Sequence, residues 1–122
     1  MFYLKIVNAV LKDKYLHPSE KIVYSYIIQE WENTYKYYKD NDYNIVKCSM
    51  RKMSNDIYIE RRNLHKIIDN LIEKKYIAKA EILTNQINTS IFYLNKDSKV
   101  IKEWFETNKV IDELKNKWKK SK

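Results

Sequence analysis

The sequence predicts an α+β, mainly helical domain, and three observations lead there. Apolar residues recur at three- and four-residue steps near residues 18–38 and 60–75 and again beyond 97, the spacing of amphipathic helices. Short β-branched and aromatic runs at 43–48, 77–83 and 91–94 have the length and composition of strands. The last two flank a polar stretch at 84–90 and read as a hairpin. A chain of 122 residues that is 44% hydrophobic and 33% charged suits one domain with one modest core.

Taken in order, residues 2–11 are largely apolar and leave their element open between a strand and a short helix. A helix start is marked at His17-Pro18-Ser19-Glu20. Proline at the first helical position loses nothing, because its missing N–H would have no partner there. Glu20, two positions later, can reach back to the cap and favours the positive end of the helix dipole. Ile22, Val23, Tyr26, Ile27, Trp31, Thr34 and Tyr38 then continue as one stripe. Residues 39–42 form a polar turn before the first strand. Ser49 is a credible N-cap for a short helix with Met50, Met53 and Ile57 facing inward.

Tyr58 is the pivot of a tight turn into a further helix, from about 60 to 75. Leu64, Ile67, Ile68, Leu71 and Ile72 share one face of it. Arg61, Arg62, Asn63, His65, Lys66, Asp69 and Asn70 occupy the other. Asp97 is read as the cap of a final long helix, to about 119, on which Trp104, Ile111 and Trp118 fall seven residues apart.

Composition excludes several chemistries. There is no glycine, so Gly-rich phosphate loops, dinucleotide fingerprints and glycine-based nucleophile elbows are ruled out. One cysteine, Cys48, and two histidines without ligand spacing leave no zinc motif. Cys48 reads as a small, half-buried strand residue rather than a reactive thiol, and the lone cysteine fits a reducing cytoplasm. No apolar run is long enough to span a membrane, and the N-terminus does not read as a signal peptide. No catalytic site and no cofactor are expected.

Charge narrows the choice further. The formal net charge of +8 is unevenly placed: residues 47–79 hold nine Lys/Arg against four acidic side chains, whereas residues 1–46 are balanced. All three arginines, Arg51, Arg61 and Arg62, lie in that middle block. The planar guanidinium fork suits phosphates and guanine edges. Lys, Ile, Asn and Tyr are written by A/T-rich codons, which accounts for much of the C-terminal lysine but less well for the arginine cluster.

The order helix, strand, short helix, tight turn, amphipathic helix, hairpin resembles the winged helix-turn-helix family over residues 17–94. Residues 53–77 carry the most specific part. Ile59 matches the buried aliphatic of the turn, and Leu71-Ile72 with Tyr76-Ile77 match the exit of the recognition helix. Tyr58 and Lys75 stand where the family usually has glycine, at positions that can require φ > 0. Leu16-His17-Pro18-Ser19-Glu20-Lys21 is also similar to the helix start of N-terminal domains of plasmid and phage replication initiators of low-GC bacteria.

The winged-helix resemblance implies double-stranded DNA as partner, with Arg61, Arg62, Asn63, His65 and Lys66 facing the major groove. Either arginine suits a bidentate guanine contact, and Asn63 suits an adenine edge. Ser49, Arg51 and Lys52 would meet backbone phosphate, and Asn85, Gln86 and Asn88 with Thr89 would probe the minor groove from the wing. Residues 1–95 would form the winged-helix domain. Residues 96–122 would form a C-terminal helix joining a homodimer through Trp104, Ile111, Leu114 and Trp118, or else folding back on the domain's own core. Tyr35, Tyr37, Tyr38 and Tyr43 suit packing between helices better than base stacking, because no positive excess surrounds them. The implied roles are a transcriptional regulator or a plasmid or phage replication or partition factor. The alternatives are a winged helix that binds and inhibits a host protein, and a non-specific DNA-coating protein.

Overall fold

A computed structural model describes residues 2–37, 45–79, 89–95, 97–103 and 106. The elements are α1 (Asn8–Leu11), α2 (Pro18–Tyr37), β1 (Ile45–Ser49), α3 (Met50–Ile57), α4 (Arg61–Glu73), β2 (Ile77–Lys79) and β3 (Thr89–Leu94). Residues 99–103 are helical again. The three strands form one antiparallel sheet in the order β1-β3-β2. Ile45 faces Tyr93 and Ser49 faces Thr89 across β1 and β3, while Ile77 faces Leu94 across β2 and β3. The fold is therefore α+β, mainly helical and winged-helix-like, as the sequence predicts.

The start of α2 is set by local chemistry. The His17 backbone N–H donates to Glu20 Oε1 at 2.9 Å, the reciprocal half of a capping box. The same carboxylate accepts from Lys74 Nζ at 2.7 Å, and that ammonium also donates to the Tyr15 carbonyl at 2.6 Å. Glu20 thus ties the first turn of α2 to the residue that ends α4. Burial raises the proton affinity of its carboxyl, but the Lys74 and His17 hydrogen bonds and the neighbouring positive charges outweigh that and hold its pKa below the ordinary value.

α2 is more deeply enclosed than a single stripe predicts. Val23, Tyr24, Ser25, Tyr26, Ile27 and Ile28 are all buried in succession, and Ile22 is only half-buried. A stretch buried all round needs neighbours on every side, and residues 23–28 have them. The N-terminal arm, residues 2–7, has no regular structure and lies along α2, where the Gln29 amide accepts from Lys5 N–H and donates to the Tyr3 carbonyl, both at 2.9 Å. The Phe2 ring meets Tyr26 at a centroid distance of 5.5 Å. Tyr24 meets Tyr76 at 5.1 Å and shares a 3.3 Å hydrogen bond with Ser98. Tyr26 donates to Asp56 of α3 at 2.8 Å. Burial, then this bond and nearby carboxylates, raise the Tyr26 phenol's pKa and keep it a donor.

The inner face of the sheet, with Val46, Cys48, Ile77, Phe92 and Leu94, closes the core over α2 and α4. Cys48 is 1% exposed, more deeply buried than expected. Burial and the Glu30 charge push its thiol up to about 12 against the opposing charge of Lys52, so at neutral pH it is an unreactive thiol.

The cap of the last helix is Ser98, not the Asp97 that the sequence predicts. Ser98 Oγ accepts from Ile101 N–H at 3.4 Å and its carbonyl accepts from Lys102 N–H at 3.1 Å. The Asp97 N–H is instead held by Asn95 Oδ1 at 3.0 Å, which places Asp97 one residue outside the helix. Val100 and Ile101 are buried in the common core. Trp104, Ile111, Leu114 and Trp118 lie outside the described residues.

Both positions where glycine would be usual have positive φ: Tyr58 at 56° and Lys75 at 67°. Lys75 sits in a left-handed helix exit whose hydrogen bonds run from Tyr76 N–H to the Leu71 carbonyl and from Lys75 N–H to the Ile72 carbonyl, each 3.0 Å. This is a Schellman motif.

Two stability outcomes are expected. Tyr58→Gly and Lys75→Gly should each stabilise the fold by about 1 kcal/mol, because a side chain in the left-handed region carries a steric cost that glycine lacks; chemical denaturation measures this. Glu20→Gln should cost about 2 kcal/mol at neutral pH by leaving Lys74 without its anion. Because the folded pKa of Glu20 is depressed, its contribution is complete above the unfolded value of about 4.3 and is lost as pH falls through the folded value. Urea midpoints at neutral and acid pH should therefore fall less steeply for Glu20→Gln than for the parent.

Candidate nucleic-acid interface

α3 and α4 are joined by three residues, Tyr58, Ile59 and Glu60. The turn is formed by the left-handed Tyr58 (φ 56°, ψ 40°), by Ser54 Oγ donating to the Ile59 carbonyl at 2.6 Å, and by Ile59 packing half-buried on the core. Glu60 caps α4 through its backbone alone: its carbonyl accepts from Leu64 N–H at 2.8 Å, and its side chain makes no cap bond. Tyr58 is 94% exposed, so its ring packs against nothing among the described residues.

Leu64, Ile67, Ile68 and Leu71 bury one face of α4. Arg61, Arg62, Asn63, His65 and Lys66 are all exposed, as their spacing predicts. At 100° per residue, Arg62, Lys66, Asp69 and Glu73 lie opposite the buried stripe, with Arg61 and His65 on one flank and Asn63 and Asn70 on the other. The cations occupy the first half of the helix and the acids Asp69 and Glu73 the second. The positive face is thus confined to the N-terminal half.

At the start of α3, Ser49 Oγ accepts from Lys52 N–H at 3.2 Å, the N-cap its sequence position predicts. Arg51 is exposed. Lys52 Nζ lies 3.5 Å from Glu30 of α2, a pairing the sequence reading missed. With the lysine side chain 62% exposed, the pair is worth little and readily exchanged. Lys47 and Lys79 add exposed cations on β1 and β2; the alternation of Lys47 between buried Val46 and Cys48 is the signal that would have found it. Asn85, Gln86 and Asn88, expected in a wing, and Tyr38 and Tyr43 lie outside the described residues; of Thr89, Tyr35 and Tyr37 only the backbone is described. Among the described residues no group of three metal-ligating side chains is assembled, and no helix is long and apolar enough to cross a membrane.

Residues 47–99 match the model of a family described as the B-block binding subunit of TFIIIC, a winged-helix-like DNA-binding domain family. The matched span begins in β1, takes in α3, the turn, α4, β2 and β3, and ends at the first turn of the C-terminal helix. It does not include residues 16–21, on which the similarity to replication initiators rests. Neither curated proteins nor solved structures give a match.

Proposed function

We propose that this chain binds double-stranded DNA sequence-specifically through α4, acting without catalysis as a transcriptional regulator or as a replication or partition factor. The observation that carries the reading is the row Arg61, Arg62, Asn63, His65 and Lys66, exposed along the first half of a helix whose opposite face is held in the core. The family match over residues 47–99, the span that contains this row, supports it.

In the proposed complex the N-terminal half of α4 enters the major groove. Arg61 or Arg62 takes a guanine edge in a bidentate contact, and Asn63 takes an adenine edge. Arg51 and Ser49 meet phosphate at the start of α3, and Lys52 exchanges Glu30 for phosphate. The wing residues Asn85, Gln86 and Asn88 track the minor groove. Residues 1–95 act as the binding domain. Residues 96–122 pair two copies through Trp104, Ile111, Leu114 and Trp118, which sets two α4 helices about one turn of DNA apart. A cytoplasmic location on nucleoid or plasmid DNA goes with this role.

Fluorescence anisotropy with duplexes taken from the flanks of the chain's own gene tests the reading. Arg61→Ala and Arg62→Ala should each cost about 1–3 kcal/mol if they read bases, or flatten the salt dependence by a slope of about 1 if they clamp phosphate. Unchanged affinity in both variants would refute the assignment. Steep salt dependence without sequence preference would mark a DNA-coating protein, and no binding at any salt would mark a protein partner for the same face.

A further inference from the structure

A groove of about 700 Å³ opens at the other end of α4, between α1 with the turn after it, the exit of α4 and residues 95–103. Small-molecule sites span about 300–1,000 Å³. Five lysines line it, Lys12, Lys14, Lys74, Lys75 and Lys99, against Asp13 and Glu103. Lys74 is spent on Glu20 and the Tyr15 carbonyl. Asp13 is held in place, its carboxylate accepting from Tyr76 Oη at 2.6 Å and from Tyr15 N–H at 2.9 Å, and keeps its negative charge. Lys12, Lys14, Lys75 and Lys99 have no ion-pair partner within 4.0 Å among the described residues.

At the exit of α4 the carbonyls of Asn70, Leu71 and Ile72 accept from the backbone N–H groups of Lys74, Tyr76 and Lys75, and that of Lys75 accepts from Asn95 Nδ2 at 2.9 Å. Ser98 and Lys99 also line the groove. What the groove offers a ligand is net cationic charge. Four lysines outside any ion pair among the described residues, against Asp13 and Glu103, leave the concavity net positive, which favours an anion.

We infer that this groove binds a small phosphorylated ligand carrying two or more negative charges, held by Lys12, Lys14, Lys75 and Lys99. Phosphate is also the chemistry of a DNA backbone, but the geometry separates the two sources. α4 is 13 residues long, so Lys75 lies roughly 20 Å along its axis from Arg61, at the end away from the proposed DNA face. The inference does not depend on the DNA reading and holds whatever meets Arg61 and Arg62.

Inorganic pyrophosphate is the probe, titrated into the full chain with backbone amide NMR as readout. Saturable shifts should centre on residues 12–15, 75, 76, 98 and 99. Lys12→Glu with Lys99→Glu, both exposed positions, should weaken binding roughly tenfold or more with an unchanged melting temperature, while Arg61→Ala with Arg62→Ala binds pyrophosphate like the parent. Shifts that do not saturate, or that survive in the Lys12→Glu, Lys99→Glu variant, would overturn the inference. So would a loss of duplex affinity in that variant matching its loss for pyrophosphate, which would give these lysines to the DNA backbone.

Discussion

The burial of Leu64, Ile67, Ile68 and Leu71 against α2 is the constraint on which the rest of the structure depends. Each such side chain removed from water contributes about 2 kcal/mol, and together they fix the rotation of α4 about its axis. Once that rotation is fixed, the helix period alone decides that Arg62 and Lys66 point directly away from the core. A change of one residue in register would turn those charges by about 100° toward apolar neighbours. The core stripe and the basic row are two consequences of one packing choice. The Glu20–Lys74 pair pins the far end of the same helix, so α4 is held along its length and cannot easily pivot.

Two residues stand against this economy of packing. Tyr58 and Lys75 hold left-handed backbone at either end of α4 with side chains that disfavour it. Neither side chain is repaid by burial, since both are exposed. The turn and exit persist because neighbouring bonds over-determine them: Ser54 to the Ile59 carbonyl on one side, the paired bonds to Leu71 and Ile72 on the other. Residues held in such backbone concentrate at functional positions. Here one flanks the basic row and the other lines the lysine groove.

What the sequence made legible is what a few adjacent residues decide. His17, Pro18 and Glu20 lie within one helical turn, and Ser49 precedes Lys52 by three, so both caps could be read directly. The glycine-like positions 58 and 75 were legible because the family pattern marks them, and the exposed row on α4 because a single helix carries its own period. The all-round burial of residues 23–28 in α2 was not legible. Tyr24 gains its neighbours Tyr76 and Ser98 from far along the chain, the latter 74 residues away, and a stripe analysis sees only one helix. Gln29 likewise holds an arm 24 to 26 residues distant. Asp97 and Ser98 are both good cap residues, so only the hydrogen-bond register separates them. The lysine groove draws on three separate stretches of chain, each unremarkable alone.

Mapping where duplex DNA touches the chain tests the central claim most directly. Backbone amide signals would be followed while a duplex selected from a random library for retention by the full chain is added at two salt concentrations. The account predicts saturable changes concentrated on residues 49–52 and 61–66, little change at 74–76 and 98–99, and weaker binding at the higher salt. A duplex that leaves residues 61–66 unmoved while shifting another surface, or a library from which nothing is retained, would contradict it.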